Sequence, residues 1–189
     1  SKIVALGEGR VADVRQKTKI IKKESDWAIP TKYAWLSIKD GMFMAGAGTD
    51  ESNAQGKLIL LPKNSFKAAA KLHRALIKTY KIKHLGILLT DSRVIPLRAG
   101  VVGVAVGYAG FSGIKDYRGS TDLFGRTLKI TRVDVADSLA TAAVLLMGEG
   151  DERRPLAIIT DAPVHVQHRI NRKELVIPPN DDLDAPLFG

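Results

Sequence analysis

Between Gly100 and Gly110 the chain reads GVVGVAVGYAG, with glycines at Gly100, Gly103, Gly107 and Gly110 among small apolar residues. This density constrains the fold more than any other feature. A residue without Cβ is needed where backbone must come closer to backbone, or to a ligand, than a side chain permits. Two readings stand: a buried, closely packed strand pair, and a surface that faces a ligand. The run is not a Rossmann fingerprint, because it lacks G-x-G-x-x-G spacing and no helix pattern follows it. It is not a P-loop either, since no G-K-[ST] occurs in the chain. The surrounding stretch, Thr90–Arg132, places Asp91, Arg93 and Arg98 before and among the glycines and Asp116, Arg118, Asp122 and Arg126 after them. Fixed charges on both sides suit a site that holds anions and cations together.

At 189 residues the chain fits one domain or two small ones and is long enough to bury a core. It has no apolar run near the roughly 20 residues a membrane span requires. No signal-peptide pattern is present, so a cytoplasmic protein with no membrane partner is the default expectation. With no cysteine there is neither a disulfide nor a thiolate metal site. Charge is lopsided: up to Leu89 there are 17 Lys/Arg against 7 Asp/Glu, and from Thr90 onward 12 against 13. A basic first half suits a polyanionic small molecule or nucleic acid. Nucleic acid is the weaker reading, because aromatic residues make up only 6% and no recognition motif is present.

Taken in order, SKIVALG reads as a strand-like start before GEGR, and Val11–Lys23 as an edge strand or a basic amphipathic segment. The compact run Gly41–Gly48 delivers Asp50, Ser52 and Asn53, three oxygen-bearing side chains within one turn. Leu58–Leu61 is a short strand stopped by Pro62. Asn64 or Ser65 caps the strongest helix, Ser65–Tyr80, whose Phe66, Ala69, Ala70, His73, Leu76, Ile77 and Tyr80 fall at helical spacing. Leu85–Leu89 reads as a buried strand that leaves Asp91 at its C-terminal end. Val101–Val106, Thr127–Val133 and Leu156–Thr160 read as further strands. A second helix over Asp134–Met147 has acid at its start and Gly148 at its end. The acidic, proline-rich tail reads as draped over the surface, with Leu187 and Phe188 as anchors. Strands outnumber helices and do not alternate with them. The expected fold is therefore α+β, with mixed or antiparallel sheets and two main helices. A main domain of residues 1–92 with 153–189, and a glycine-rich subdomain of residues 93–152, is the expected division.

Asp50, Asp91 and Glu149 each stand in a loop or at an element end, the setting in which carboxylates hold hard cations such as Mg²⁺ or Mn²⁺. Twenty acidic residues offer many such triples, so spacing alone does not select this one. The segments KIVALGEGR, AGTDESN, TDSR–PLR–GVVGVAVGYAG, DYRGSTDLFGR and LLMGEGDE, running in this order from Lys2 to about Asp161, together resemble the coenzyme F420-0:L-glutamate ligase family. These γ-glutamyl ligases add glutamate to a deazaflavin coenzyme.

The resemblance implies an intertwined homodimer and a GTP-dependent enzyme with two divalent ions, Mg²⁺ or Mn²⁺, and K⁺ as a further candidate. By motif position, Asp50 and Asp91 hold one metal and Ser92 and Glu149 the other. Lys2, Asn53, Met147, Gly148 and Gly150 face the nucleotide. Arg93, Arg118 and Arg126, with Arg98 beside them, are candidate clamps for phosphate or carboxylate, or structural ion pairs. L-Glutamate and a carboxylate acceptor are the implied substrates, the acceptor being coenzyme F420-0, a folate or another pterin-like acid. A non-catalytic nucleotide-binding homologue is the remaining alternative, motivated by one departure. The family has a Ser-Lys pair before EGR where this chain has Ala5-Leu6. The resemblance further implies some tens of residues ahead of Lys2 that help build the nucleotide site.

Overall fold

The computed structural model describes residues 2–169 and 171–178, apart from the side chains of Lys2, Ile3 and Leu6. The elements run α1 (Lys2–Gly7), β1 (Val11–Asp13), α2 (Lys17–Glu24), β2 (Trp27–Pro30), β3 (Trp35–Lys39), β4 (Met42–Ala45), β5 (Lys57–Ile59) and α3 (Ser65–Tyr80). They continue as β6 (Ile87–Val94), β7 (Val101–Phe111), β8 (Ile114–Asp116), β9 (Arg132–Asp134), α4 (Val135–Met147) and β10 (Val166–Gln167). The strands form two three-stranded sheets, β10-β7-β6 and β2-β3-β4, and two pairs, β1-β5 and β8-β9. Every pairing among the described residues is antiparallel, and the fold is α+β.

Several expectations shift against this frame. The first segment is a short helix and not a strand, because α1 buries Ala5 completely beside Ala54 and Ile59. KTKIIKK takes its amphipathic form, with Ile21 buried and the lysines out. Thr127–Val133 shrinks to β9 plus an isolated bridge between Thr121 and Thr127. Leu156–Thr160 joins no strand, and Leu156 and Ile158 are 81% and 92% exposed. An apolar, β-branched run states that burial is wanted, not what provides it. Leu187 and Phe188 lie outside the described residues.

The long hairpin β6–β7 is the centre. Its register slips between Leu89 and Thr90: Leu89 pairs with Gly107 and Thr90 with Ala105, leaving Val106 as the extra residue of a bulge. Leu89, Val106 and Ala109 pack with Met44, Leu61, Ala68 and Ala69 in one cluster. Ala105, Tyr108 and Phe111 pack with Ala136 in another, with Phe66 and Leu139 against it. The glycines of β7 admit both long helices. A Cβ on Gly103 would run into the carbonyl oxygen of Ala140 in α4, and one on Gly107 would stand 2.5 Å from the Ser65 carbonyl carbon at the start of α3. Polar bonds lock the α4 contact: Ala105 N–H donates to Asp137 Oδ1 at 2.8 Å, and Thr141 Oγ1 donates to Gly103 O at 2.8 Å. The glycine run thus serves backbone against backbone.

α3 begins where the periodicity places it, with Asn64 Oδ1 accepting from Lys67 N–H at 2.8 Å. His73, in its apolar stripe, is a structural histidine, with Nε2 3.0 Å from Leu85 O. α4 is capped by Asp134, whose Oδ1 accepts from Asp137 N–H at 2.8 Å. Burial, aided by the charge of Asp137, pushes the Asp134 carboxyl up to about 6, against backbone hydrogen bonds and the charge of Arg93. No helix of the described residues is long and apolar enough to cross a membrane.

Two measurements test this packing. Gly107→Ala forces a methyl group against the α3 backbone, where no side chain can yield. It is expected to lower stability by about 1–3 kcal/mol, read as a fall in thermal midpoint of ~2–4 °C per kcal/mol. Asp134 contributes stability that is fully present below its ordinary value of 3.8 and is lost as pH rises through about 6. Asp134→Asn keeps a cap without the charge, so its stability relative to the parent is expected to rise between about pH 4 and pH 7 in urea melts.

Candidate active site

Asp91 and Ser92 are consecutive residues in β6, so their side chains leave opposite faces of the hairpin. Asp91 is not at the strand's end, as the apolar run alone suggests. It pairs with Val104 inside β6, which continues to Val94. The strand outlasts its apolar stretch because β7 pairs with it on both sides of the bulge.

Asp91 faces the loop that follows β4. A Cβ on Gly48 would stand 3.2 Å from Asp91 Oδ2 and would collide with Leu61, so the loop backbone sits directly on this carboxylate. The loop is shaped from beneath by Ser37, a fully buried residue of β3. Its hydroxyl donates to Met44 O and accepts from Ala47 N–H, both at 2.7 Å. Asp50, two residues beyond Gly48, is fixed by paired backbone hydrogen bonds of 2.8 Å with Ile59. Its Oδ1 accepts from both the N–H and the hydroxyl of Ser52, at 2.6 Å each. Asn53 follows in the left-handed region (φ 51°), which asparagine tolerates better than most residues.

Ser92 faces the other way, towards the end of α4. Its hydroxyl donates to Glu149 Oε1 at 2.5 Å. Met147 is the last helical residue, and Gly148 ends the helix at φ 79°, ψ 170°, a conformation essentially reserved for glycine. The two loops meet: Asn53 Nδ2 donates to Gly150 O at 3.2 Å, across 97 residues of chain. Of the residues singled out in the sequence, the structure joins Ser92 to Glu149 and Asn53 to Gly150, and sets Asp91 against the Gly48 loop that leads to Asp50.

The cations divide. Arg93 is next in β6 and is half-buried, and its buried Nε has no hydrogen-bond partner. Arg118 instead pairs with its own neighbour Asp116, Nη2 to Oδ2 at 2.6 Å, on the exposed hairpin between β8 and β9. Those hydrogen bonds hold the Asp116 carboxyl down to about 2. Arg126 lies exposed on the same hairpin, its backbone N–H donated to Asp122 Oδ1 at 2.9 Å. Arg98 is exposed in the turn joining β6 to β7. Lys2 lies in α1, and its side chain is outside the description.

Ser37 stands outside the residues singled out in the sequence. Ser37 gives no local signal, because a serine in a strand reads as solvent-facing. Glu152, at the end of the Leu145–Glu152 loop that the resemblance sets at the nucleotide, accepts Gly150 N–H at 2.8 Å through its carboxylate and lies against Gly148.

The donors suit a hard divalent cation: a carboxylate with a hydroxyl at Glu149–Ser92, and carboxylates on the facing loop and strand. Among the described residues no three His, Asp or Glu side chains form a closed cluster. Mg²⁺ and Mn²⁺ take one or two carboxylates and complete their shells with water and phosphate oxygen.

Comparison with known proteins places the chain in a family. The F420-0:Gamma-glutamyl ligase family model matches residues 1–161. The chain is similar to the coenzyme F420:L-glutamate ligase of Methanococcus maripaludis (strain C6), with 41% identity over 145 residues, 77% of this chain and 58% of that protein. The enzyme of the same name from Methanothermobacter thermautotrophicus is 44% identical over 126 residues, 66% of this chain and 50% of that protein. The one from Methanosarcina mazei is 34% identical over 165 residues, 87% of this chain and 65% of that protein. The chain thus spans about half to two thirds of the length of these relatives. With the family match running through every loop that meets at β6, the chain belongs to the F420-0:gamma-glutamyl ligase family.

Proposed function

We propose that this chain carries the metal and nucleotide site of a ligase that joins L-glutamate to a carboxylate acceptor through an amide bond, with GTP as phosphate donor and coenzyme F420-0 as acceptor. The observation that carries the reading is the direct contact of Ser92 with Glu149, beside the bond from Asn53 to Gly150. These bonds bring together, from three distant parts of the chain, oxygen donors of the kind that phosphate-bound divalent cations require.

The acceptor carboxylate attacks the γ-phosphorus of GTP, GDP leaves, and an acyl phosphate forms. The amine of glutamate then attacks the acyl carbon, phosphate departs, and the amine loses a proton. A bound pair of Mg²⁺ or Mn²⁺ ions supplies charge neutralisation for the phosphate oxygens. Asp50 and Asp91 from one side, and Ser92 and Glu149 from the other, would hold those ions. Arg93, next to Ser92 in β6 and half-buried, would be the arginine whose guanidinium takes a phosphate or carboxylate oxygen. Met147, Gly148 and Gly150 would present the loop backbone to the nucleotide. Ala5 packs as a buried residue beside Ala54 and Ile59, so position 5 serves the core here.

We further propose a homodimer. The hairpin that carries Arg118 and Arg126 exposes Leu123, Phe124 and Ile130, and Leu145, Leu156 and Ile158 are exposed as well. Apolar side chains bared in such number fit an interaction surface. A second copy is the occupant that would also deliver the two hairpin arginines to a site that one chain leaves without them.

Mass spectrometry of F420-0 incubated with the full chain, GTP, Mn²⁺ and glutamate is expected to show addition of a glutamyl residue. A folate acceptor in a parallel arm identifies the alternative acceptor. Asp91→Asn keeps size and one oxygen and removes the charge opposite a dication. It is expected to abolish ligation while leaving the thermal midpoint of the metal-free protein unchanged or raised. Loss of fold, or turnover at the parent's rate, contradicts the assignment. Light scattering at micromolar concentration is expected to give the mass of two chains, and Leu123→Ser with Phe124→Ser to shift it towards one.

A further inference from the structure

The loop after α4 is held by more than its own sequence. Gly150 is fastened at both ends of its backbone: its N–H donates to Glu152 Oε2 at 2.8 Å, and its carbonyl accepts from Asn53 Nδ2 at 3.2 Å. The Glu152 carboxylate also closes over Gly148, where a Cβ would meet its Cδ and both carboxylate oxygens. Between these two glycines stands Glu149, with its carboxylate on the Ser92 hydroxyl. The residue that closes the loop, Arg153, takes a left-handed φ of 56°. The chain turns back there, bringing the side chain at position 152 inwards across the turn.

A glycine-flanked glutamate on an exposed loop would ordinarily sample many positions, since glycine is the least restricted residue. Any ligand held by Glu149 would then bear the entropy of ordering the loop. Here that ordering is supplied in advance by Glu152 from within the loop and by Asn53 from across it. We infer that Glu152 is a positioning residue: by holding the Gly150 N–H, its carboxylate fixes the loop so that Glu149 is poised at Ser92 to receive a divalent cation. The inference rests on the metal-site reading given above, but it concerns an acid not assigned there to the metal. Glu152 acts through its acceptor oxygen. Its charge is not required for the bond to Gly150, because a neutral amide oxygen can accept the same N–H.

The test compares Glu152→Gln with Glu152→Ala in the full chain, titrated with Mn²⁺ alone. The thermal midpoint and backbone amide exchange at Gly150 are followed beside the titration. Loss of an outer partner that orients a metal ligand weakens binding roughly 10-fold or more. Glu152→Ala is expected to show that loss, with faster exchange at Gly150 and an unchanged thermal midpoint. Glu152→Gln is expected to restore both affinity and slow exchange. Equal loss in the two variants overturns the inference, since it makes the carboxylate charge a ligand in its own right. Tighter Mn²⁺ binding in Glu152→Ala also overturns it, because Glu152 then obstructs the site. Unchanged affinity with a lowered thermal midpoint reduces Glu152 to a structural role and overturns it too. If the parent chain fails to bind Mn²⁺ at all, the metal-site reading falls. Amide exchange still decides the loop clamp: Gly150 exchange equally fast in parent and Glu152→Ala removes it.

Discussion

Everything in this structure depends on how closely α4 and α3 approach β7. At Gly103 and Gly107 the helix backbone occupies the space where side chains would stand. Two results follow. The α4 side chains Asp137 and Thr141 come near enough to bond the strand backbone itself. The C-terminal end of α4 is also carried to the level of Ser92, because Gly103, which meets Ala140 and Val144, is the residue paired with Ser92.

The opposite face is built by different means. There the approach is made by a loop, Gly46–Gly48, whose residues take left-handed backbone angles and which is pinned by the buried hydroxyl of Ser37. This loop lays Gly48 on Asp91 and hands Asp50 and Asn53 onward. One hairpin strand thus serves two unlike supports, a helix end on one face and a strained turn on the other. Asn53 joins them by its bond to Gly150.

Much of this was legible in the residues, for reasons that can be named. The helix Ser65–Tyr80 announced itself through periodicity and the Asn64 cap, and α4 through its acid start and Gly148. Both signals are local. The glycine run was legible as close approach, but not as approach of helix backbone, because the sequence does not say which element lies opposite. The start of the chain was misread for the same reason: Ala5 is helical because of what it packs against, 49 and 54 residues away, at Ala54 and Ile59. Of the candidate site, the acids and Asn53 could be named from motif resemblance. The separation of Arg93 from Arg118 and Arg126 could not, since it arises from the hairpin that carries the latter two away on its own ion pair. Leu156–Thr160 shows the remaining limit: its pattern calls for burial that the described residues do not provide.

The bulge at Val106 sets a reading frame for the whole site. Side chains alternate along a strand, so a shift of one residue exchanges the two faces. The extra residue in β7 puts Gly103 opposite Ser92 and Gly107 opposite Leu89, on different faces, so that one glycine meets α4 and the other meets α3. An insertion or deletion of one residue between Gly103 and Gly107 would turn one of these glycines away from its helix, with every local residue type unchanged. The hairpin between β8 and β9 carries no such frame, since its residues are mostly exposed and bonded within the hairpin itself. In the inner hairpin, by contrast, length is as strictly specified as the identity of any residue it bears.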